Sequence, residues 1–447
     1  MQALSINKQK RTSPWFWVPT LYFAEGIPYF AVNALAVLFY TQMEIPVTEM
    51  AFYTSLLSLP WVIKPFWAPI VDIIATKRKW VIWMQLAIAL FLGAIAFFIP
   101  FSHFFTLTLI VFFFLAFASA THDIAADGFY MLGLTHHQQA SYSGLRNTFY
   151  RISNLFMQGA MVSLSGYLIA RNFNVKEAWI FVFVVLAVLF FFIAIYNNAL
   201  MPRPREDSER SERTLQDVIN DFGRTFVIFF TKKHIGVAIA FMLLYRLPEA
   251  LLTKLTMPFF KATRAEGGLA LDNSAIGLAY GTIGVIALLA GGIIGGICIG
   301  RGGLKKWLWW MALSLTIPSG FYCYLAMAQP ESLLLISIGI GIEQFGYGFG
   351  FTAFMLYLIY FSEGEYKTSC YAFCTGIMAL GMMLPGMAAG WIFEKLSEVS
   401  IFNLNGAPQG YVNFFWFMMI CCAATFLVCA LVHIPADFGK KIPEKKD

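Results

Sequence analysis

Apolar stretches of about 20 residues, long enough to cross a bilayer as helices, recur along the chain with short polar breaks between them. Twelve are read, over 15–40, 48–69, 80–99, 105–132, 142–169, 178–200, 235–260, 274–299, 307–328, 332–361, 368–393 and 411–434. The first follows the basic segment NKQKR and carries Glu25 and Pro28 mid-span. No short apolar region leads to a small-residue cleavage site, so it reads as a retained membrane helix. No strand-like alternation competes, and the pattern predicts an all-α polytopic membrane protein.

Composition agrees, with 59% of residues hydrophobic, 13% charged and a mean hydropathy of +0.68. Soluble domains are roughly 45–50% apolar. Cationic residues set the orientation: with the first segment inside, 21 of the 31 Lys and Arg fall on cytoplasmic segments, five fall outside, and five (Lys64, Arg146, Arg151, Arg246, Lys254) fall within spans. Both termini are expected in the cytoplasm. The net charge of +6 follows from this bias and gives no reason to expect a nucleic-acid partner. All seven Cys lie inside spans as small apolar residues, and no disulfide framework or metal pair is visible.

The segment PRPREDSERSER (202–213) is too charged to cross a membrane. It divides the chain into six spans over 1–200, a linker over 201–234 and six spans over 235–447. Within the linker, Leu215, Val218, Ile219, Phe222 and Phe226 recur at helical spacing, as in an amphipathic helix on the inner membrane surface. A regulatory partner is the alternative occupant of that face. Pro28 and Pro248 are 220 residues apart, and His122 and Glu343 are 221 apart. That shared offset suggests duplicated halves with a solute cavity between them.

Charged residues at membrane depth are costly and mark function when they gather around a polar cavity. Glu25, Arg151, Arg246 and Glu343 each lie about 10 residues into a span, or ~15 Å at helical rise, near the midplane; Glu249 follows Arg246. They are expected to share one pocket, the arginines holding an anion by a forked donor pair and the glutamates carrying protons. Tyr150 and Gln344, beside Arg151 and Glu343, join the expected substrate set. Asp123 and Asp127 share a helix face near the cytoplasmic end, with Arg146 close by. Two readings stand for that group, a solvated helix end or an inner gate, and Asp123 is also a proton-coupling candidate.

Other motifs lead to weaker chemistry. Gly292, Gly296 and Gly300 at four-residue spacing suit a close helix contact better than a phosphate cradle. The glycines of FGYGFGF (345–351) follow no strand and do not suit a dinucleotide fingerprint. His136 and His137 lack ligand-spaced partners. No cofactor or metal is expected, and an enzyme is disfavoured.

Five segments carry a resemblance: SLPWVIKPFWAPIVD (58–72), SATHDIAADGF (119–129), GLRNTFYR (144–151), GIEQFGYGFGFTAF (341–354) and LPGMAAGWIFE (384–394). Together they resemble the AmpG-type muropeptide permeases of the major facilitator superfamily and, more distantly, its acetyl-CoA transporters. The resemblance implies proton-driven import of peptidoglycan-derived sugar-peptides across a bacterial inner membrane; a monomer is expected. It implies a cytoplasmic latch at Asp72 with Lys77, Arg78 and Lys79; His122, Asp127 and Arg146 complete the expected gate set. Asp123, Asp127, Arg151 and Glu343 fall on positions matching the family pattern. His122 stands in place of an expected amide, Glu25 in place of a small polar residue, and Ala68 and Gly300 in place of the usual loop glycine and second-half acid. Two other readings remain: a carrier of another anionic metabolite, and a membrane sensor or lipid-modifying enzyme.

Overall fold

The computed structural model describes residues 13–134, 136–203, 207, 215–364, 367–399, 409–436 and 438–439. Among the described residues thirteen helices of ten residues or more follow one another: α1 (Pro14–Gln42), α2 (Val47–Leu56 and Leu59–Ile74), α3 (Lys77–Phe98), α4 (Phe104–Gly133), α5 (136–170), α6 (Val175–Leu200), α7 (Leu215–Phe230), α8 (Ile235–Lys261), α9 (Asn273–Gly302), α10 (Leu304–Ala328), α11 (Leu333–Ser362), α12 (Lys367–Ser397) and α13 (Gly410–Leu431). All but α7 correspond to the expected spans.

Among the described residues, ten helices are long and apolar enough to cross a membrane. The two spans that fall short do so for local reasons. α2 is broken at Leu57–Ser58, where Pro60 opens the second segment. α5 begins with HHQQASYSGLRNTFYRISN, whose polar residues offset its apolar ones.

Local chemistry starts several helices. Thr76 caps α3 by accepting from the Lys79 backbone N–H, and Asp272 caps α9 through Ala275. Asn174 and Glu177 form a reciprocal capping box at the start of α6. Pro28 lies inside α1 and is followed by a wide π-type turn over Ala31–Leu35. Similar turns interrupt α5 at Leu155–Met161 and α9 at Gly277–Gly284.

α1 packs on α4 and α5, α3 on α4 and α6, α11 on α9 and α10, and α13 on α8 and α12. α2 meets α12, and α5 meets α9, joining the two groups of helices. Small residues set how closely they approach. A Cβ at Gly281 would overlap the Gln158 carbonyl, one at Gly277 would overlap Ser163, and one at Gly390 would overlap Thr48.

The α5–α9 contact runs from Leu155–Ala170 on one helix to 273–284 on the other, the end carrying loops 43–46, 171–174 and 262–272. That distal end is sealed by polar bonds: Asn273 donates to Ser165 Oγ at 2.7 Å and accepts from Gln42 and Lys261. Toward the opposite, terminal end α5 and α9 diverge, and Arg151 reaches from α5 to Gly292.

Two expectations about packing change. The close α9–α11 contact uses Gly291 and Gly295 against Phe345, Phe349 and Thr352, with Gly348 against Leu288. Among the described residues an added Cβ at Gly296 or Gly300 would meet nothing within 4 Å, because α9 presents the face one residue earlier. α7 does more than lie on a surface: Phe222 packs on Phe66 of α2 at 5.3 Å and on Phe373 of α12 at 5.5 Å. The side chains of Leu215, Val218, Ile219, His136 and His137, and residues 1–12 and 440–447 of the expected domains, lie outside the described residues.

Candidate functional site

Glu25 sits three residues before Pro28 on α1 and is buried. Its carboxyl lies within hydrogen-bonding reach of Asp123 on α4, while no donor among the described residues reaches its Oε2. Asp123 in turn takes a hydrogen bond from Lys64 of α2 at 2.5 Å. One turn along α4, Asp127 pairs with Arg146 of α5 at 2.7 Å and accepts from Tyr22 at 3.1 Å. The Arg146 guanidinium lies 4.5 Å from the Tyr22 ring centroid. Four helices thus contribute to one charged cluster, in which the offset of four between Asp123 and Asp127 lets α4 present both carboxylates to different partners.

A second cluster lies in the other half. The helix breaks at Tyr245–Arg246, which places Arg246 just before the segment Leu247–Lys261 with Pro248 in its first turn. Its guanidinium grips Glu249 with two bonds of 2.7 and 2.6 Å and donates to Tyr347 at 3.0 Å. The ring of Phe351 lies 4.7 Å away. Glu343 on α11 is buried and accepts from Gln344 at 2.8 Å, without a cationic partner among the described residues.

Among the described residues the four midplane residues form no ion pair with one another, whereas the sequence leads one to expect such pairs. Glu25 joins the first cluster, Arg246 and Glu343 lie in the second half, and Arg151 stands on α5 facing α9. Spacing places a residue at a depth but not on a face. Tyr29 lies within electrostatic range of both clusters and meets Trp61 edge-to-face at 5.2 Å; Tyr150 packs on Phe30 at 5.5 Å.

The remaining gate candidates have other surroundings. His122 is fully buried against Gln85 of α3 at 3.1 Å, in a chain of bonds continuing through Asn197 to Thr20. It belongs to the interior of the first bundle and is not placed with Asp127 and Arg146, because it points about 100° around α4 from Asp123. The backbone N–H groups of Lys77 and Arg78 donate to Asp207 of the linker at 2.7 and 3.0 Å, and Arg78 also reaches Asn198 at the end of α6. The side chain of Asp72 lies outside the described residues.

Reading along the chain passes over Lys254 as a site residue. It is buried on α8, and among the described residues its Nζ has one bond, to Thr54 of α2 at 3.3 Å. The signal was its depth without a carboxylate at i±3 or i±4. Among the described residues no group of His, Cys, Asp and Glu is arranged to hold a metal ion.

The helical order, the two sets of packed spans and their meeting along α2–α12 and α5–α9 define a polytopic membrane protein with the transporter fold of the major facilitator superfamily. The chain superposes on a crystal structure of the nucleoside transporter NupG with a TM-score of 0.66 at 14% identity, covering 93% of this chain and 97% of that one. For a D-xylose–proton symporter the TM-score is 0.64 at 11% identity, with 95% and 98% covered. The chain belongs to the BT1 family, which matches residues 23–331. It is similar to the anhydromuropeptide permease of Escherichia coli K12, at 22% identity over 431 residues, 95% of this chain and 82% of that protein.

Proposed function

We propose that the protein is a proton-coupled symporter that imports acidic, amino-sugar-containing solutes of the muropeptide type across a bacterial inner membrane, with both termini in the cytoplasm. The observation that carries this reading is a charge inventory. Lys64–Asp123, Arg146–Asp127 and Arg246–Glu249 are paired. Glu25, Glu343, Arg151 and Lys254 are left without an ion pair among the described residues. Unpaired charges at this depth cost several kcal/mol, so an imbalance maintained on both signs suits a protein that binds a mobile anion and mobile protons.

Glu25 and Asp123 hydrogen-bond only when one of the two carboxyls holds a proton, since an ionised carboxylate accepts and does not donate. That contact makes the pair the proton carrier of the first half, with Glu343 its counterpart in the second. Arg151, with a planar fork of donors where α5 and α9 diverge, receives an anionic group of the solute, flanked by Tyr150; Arg246, Glu249 and Gln344 line the opposite side. The ion pairs of Asp127 with Arg146 and of Asp123 with Lys64 tie α4 to α5 and α2 and reorganise as the halves rock. The similarity to an anhydromuropeptide permease supports the solute class.

The test is uptake of radiolabelled anhydromuropeptide by the purified full-length protein in proteoliposomes. An inward proton gradient is expected to drive accumulation that a protonophore collapses. Uptake that ignores the gradient removes the coupling, and no uptake of this solute removes the substrate class.

A further inference from the structure

Lys254 is the one lysine or arginine on α8–α13 buried between the halves without a carboxylate partner among the described residues. Its Nζ donates to Thr54 Oγ1 at 3.3 Å, and that hydroxyl spends its own proton on the Met50 carbonyl at 2.7 Å. The neighbouring Ser55 is 1% exposed, and its hydroxyl has no hydrogen-bond partner among the described residues. Opposite them α12 places Gly386, where a Cβ would strike both Ser55 Oγ and the Lys254 Cε. Gly386 thus lets α12 come close against the Ser55 hydroxyl of α2 and the Lys254 stem of α8, so that three helices meet at the ammonium.

Stability alone does not explain this arrangement. A buried ammonium has three donors, and here one weak bond is made among the described residues. Leaving the others unmet costs free energy that pairing or an apolar residue avoids.

We infer that Lys254, with Ser55 and Thr54, forms a carboxylate-binding subsite that takes a second acidic group of the solute, at a distance along the half-to-half interface from Arg151. This rests on the transport reading above. Because α2 belongs to one half and α8 and α12 to the other, the subsite assembles as the halves close on this line and is released as they part. A solute with two separated carboxylates, one for each unpaired cation, satisfies both.

The experiment compares binding of an anhydromuramyl peptide with free carboxylates and of its carboxamide analogue, by calorimetry on the full-length protein in nanodiscs. The wild type is expected to prefer the acid. Lys254→Met should lower affinity for the acid about tenfold or more, the worth of a charged hydrogen bond, and leave the amide unchanged. Lys254→Arg should retain the preference, and Ser55→Ala, which keeps the charge and the packing, should weaken it severalfold. An acid preference of undiminished size in both Lys254→Met and Ser55→Ala overturns the subsite and leaves the transport reading standing, since Arg151 alone would then account for it. Binding of neither compound by the wild type overturns the solute class and the subsite with it.

Discussion

Arg246 and Glu249 allow the sharpest test of the geometry. Both side chains are about one-tenth exposed and share two bonds of 2.6–2.7 Å. Arg246→Met strands a carboxylate against Tyr347 and Phe351, and Glu249→Gln leaves a guanidinium with a neutral partner. Breaking a buried pair from one side costs about 3–5 kcal/mol, mostly because the survivor is uncompensated. Removing both charges costs much less, so the double variant is expected to be at least as stable as the worse single one, with an interaction energy of roughly 2–4 kcal/mol. Tyr347→Phe removes only the 3.0 Å bond to Arg246 and should cost about 1 kcal/mol. Thermal unfolding of the purified protein in one detergent, read for all four variants, gives the comparison. Losses that simply add in the double variant would show that the two groups do not compensate each other, and the pairing argument fails.

Further outcomes follow from packing. Gly281→Val puts a branched side chain where the Gln158 carbonyl lies; it should hold the distal ends of α5 and α9 apart, measured as a longer spin-label distance between them. Asn273→Ala removes the bonds to Ser165, Gln42 and Lys261 and should shift the same distance distribution toward separation, with a stability loss of about 1–3 kcal/mol for the buried partners left unmet. In the 262–272 loop, hydrogen bonds from Thr263 hold the Glu266 carboxyl below its usual range. Its stabilising effect is present above the unfolded carboxyl pKa and lost as pH falls through the lower folded value, so local amide exchange near Thr263 should speed up on acidification, and Glu266→Gln should abolish that pH dependence.

Hydropathy alone carried the helices and their order, because each span must satisfy its own backbone in lipid. Tertiary placement was less legible. Glu25 lies near Asp123 only because α1 crosses α4 at that level, and the offset of about one hundred residues between them gives no hint of it. Gly291 and Gly295 carry the helix contact where Gly292, Gly296 and Gly300 share an equally regular spacing, since a four-residue repeat does not fix which face is used. His122 sits beside the acids in sequence and yet points into a buried amide chain through Gln85 and Asn197. Lys254 was counted as a charge within a span but shows its isolation only when Thr54, Ser55 and Gly386 are assembled around it.

Proton exchange during solute binding tests the central claim most directly. In weakly buffered solution with a pH-sensitive dye, adding anhydromuropeptide to the purified protein should change the bound proton count. Glu25→Gln should reduce that change, and the double variant with Glu343→Gln should abolish it while solute binding persists. A proton signal of undiminished size in the double variant would contradict the account, since the two unpaired acids would then carry none of it.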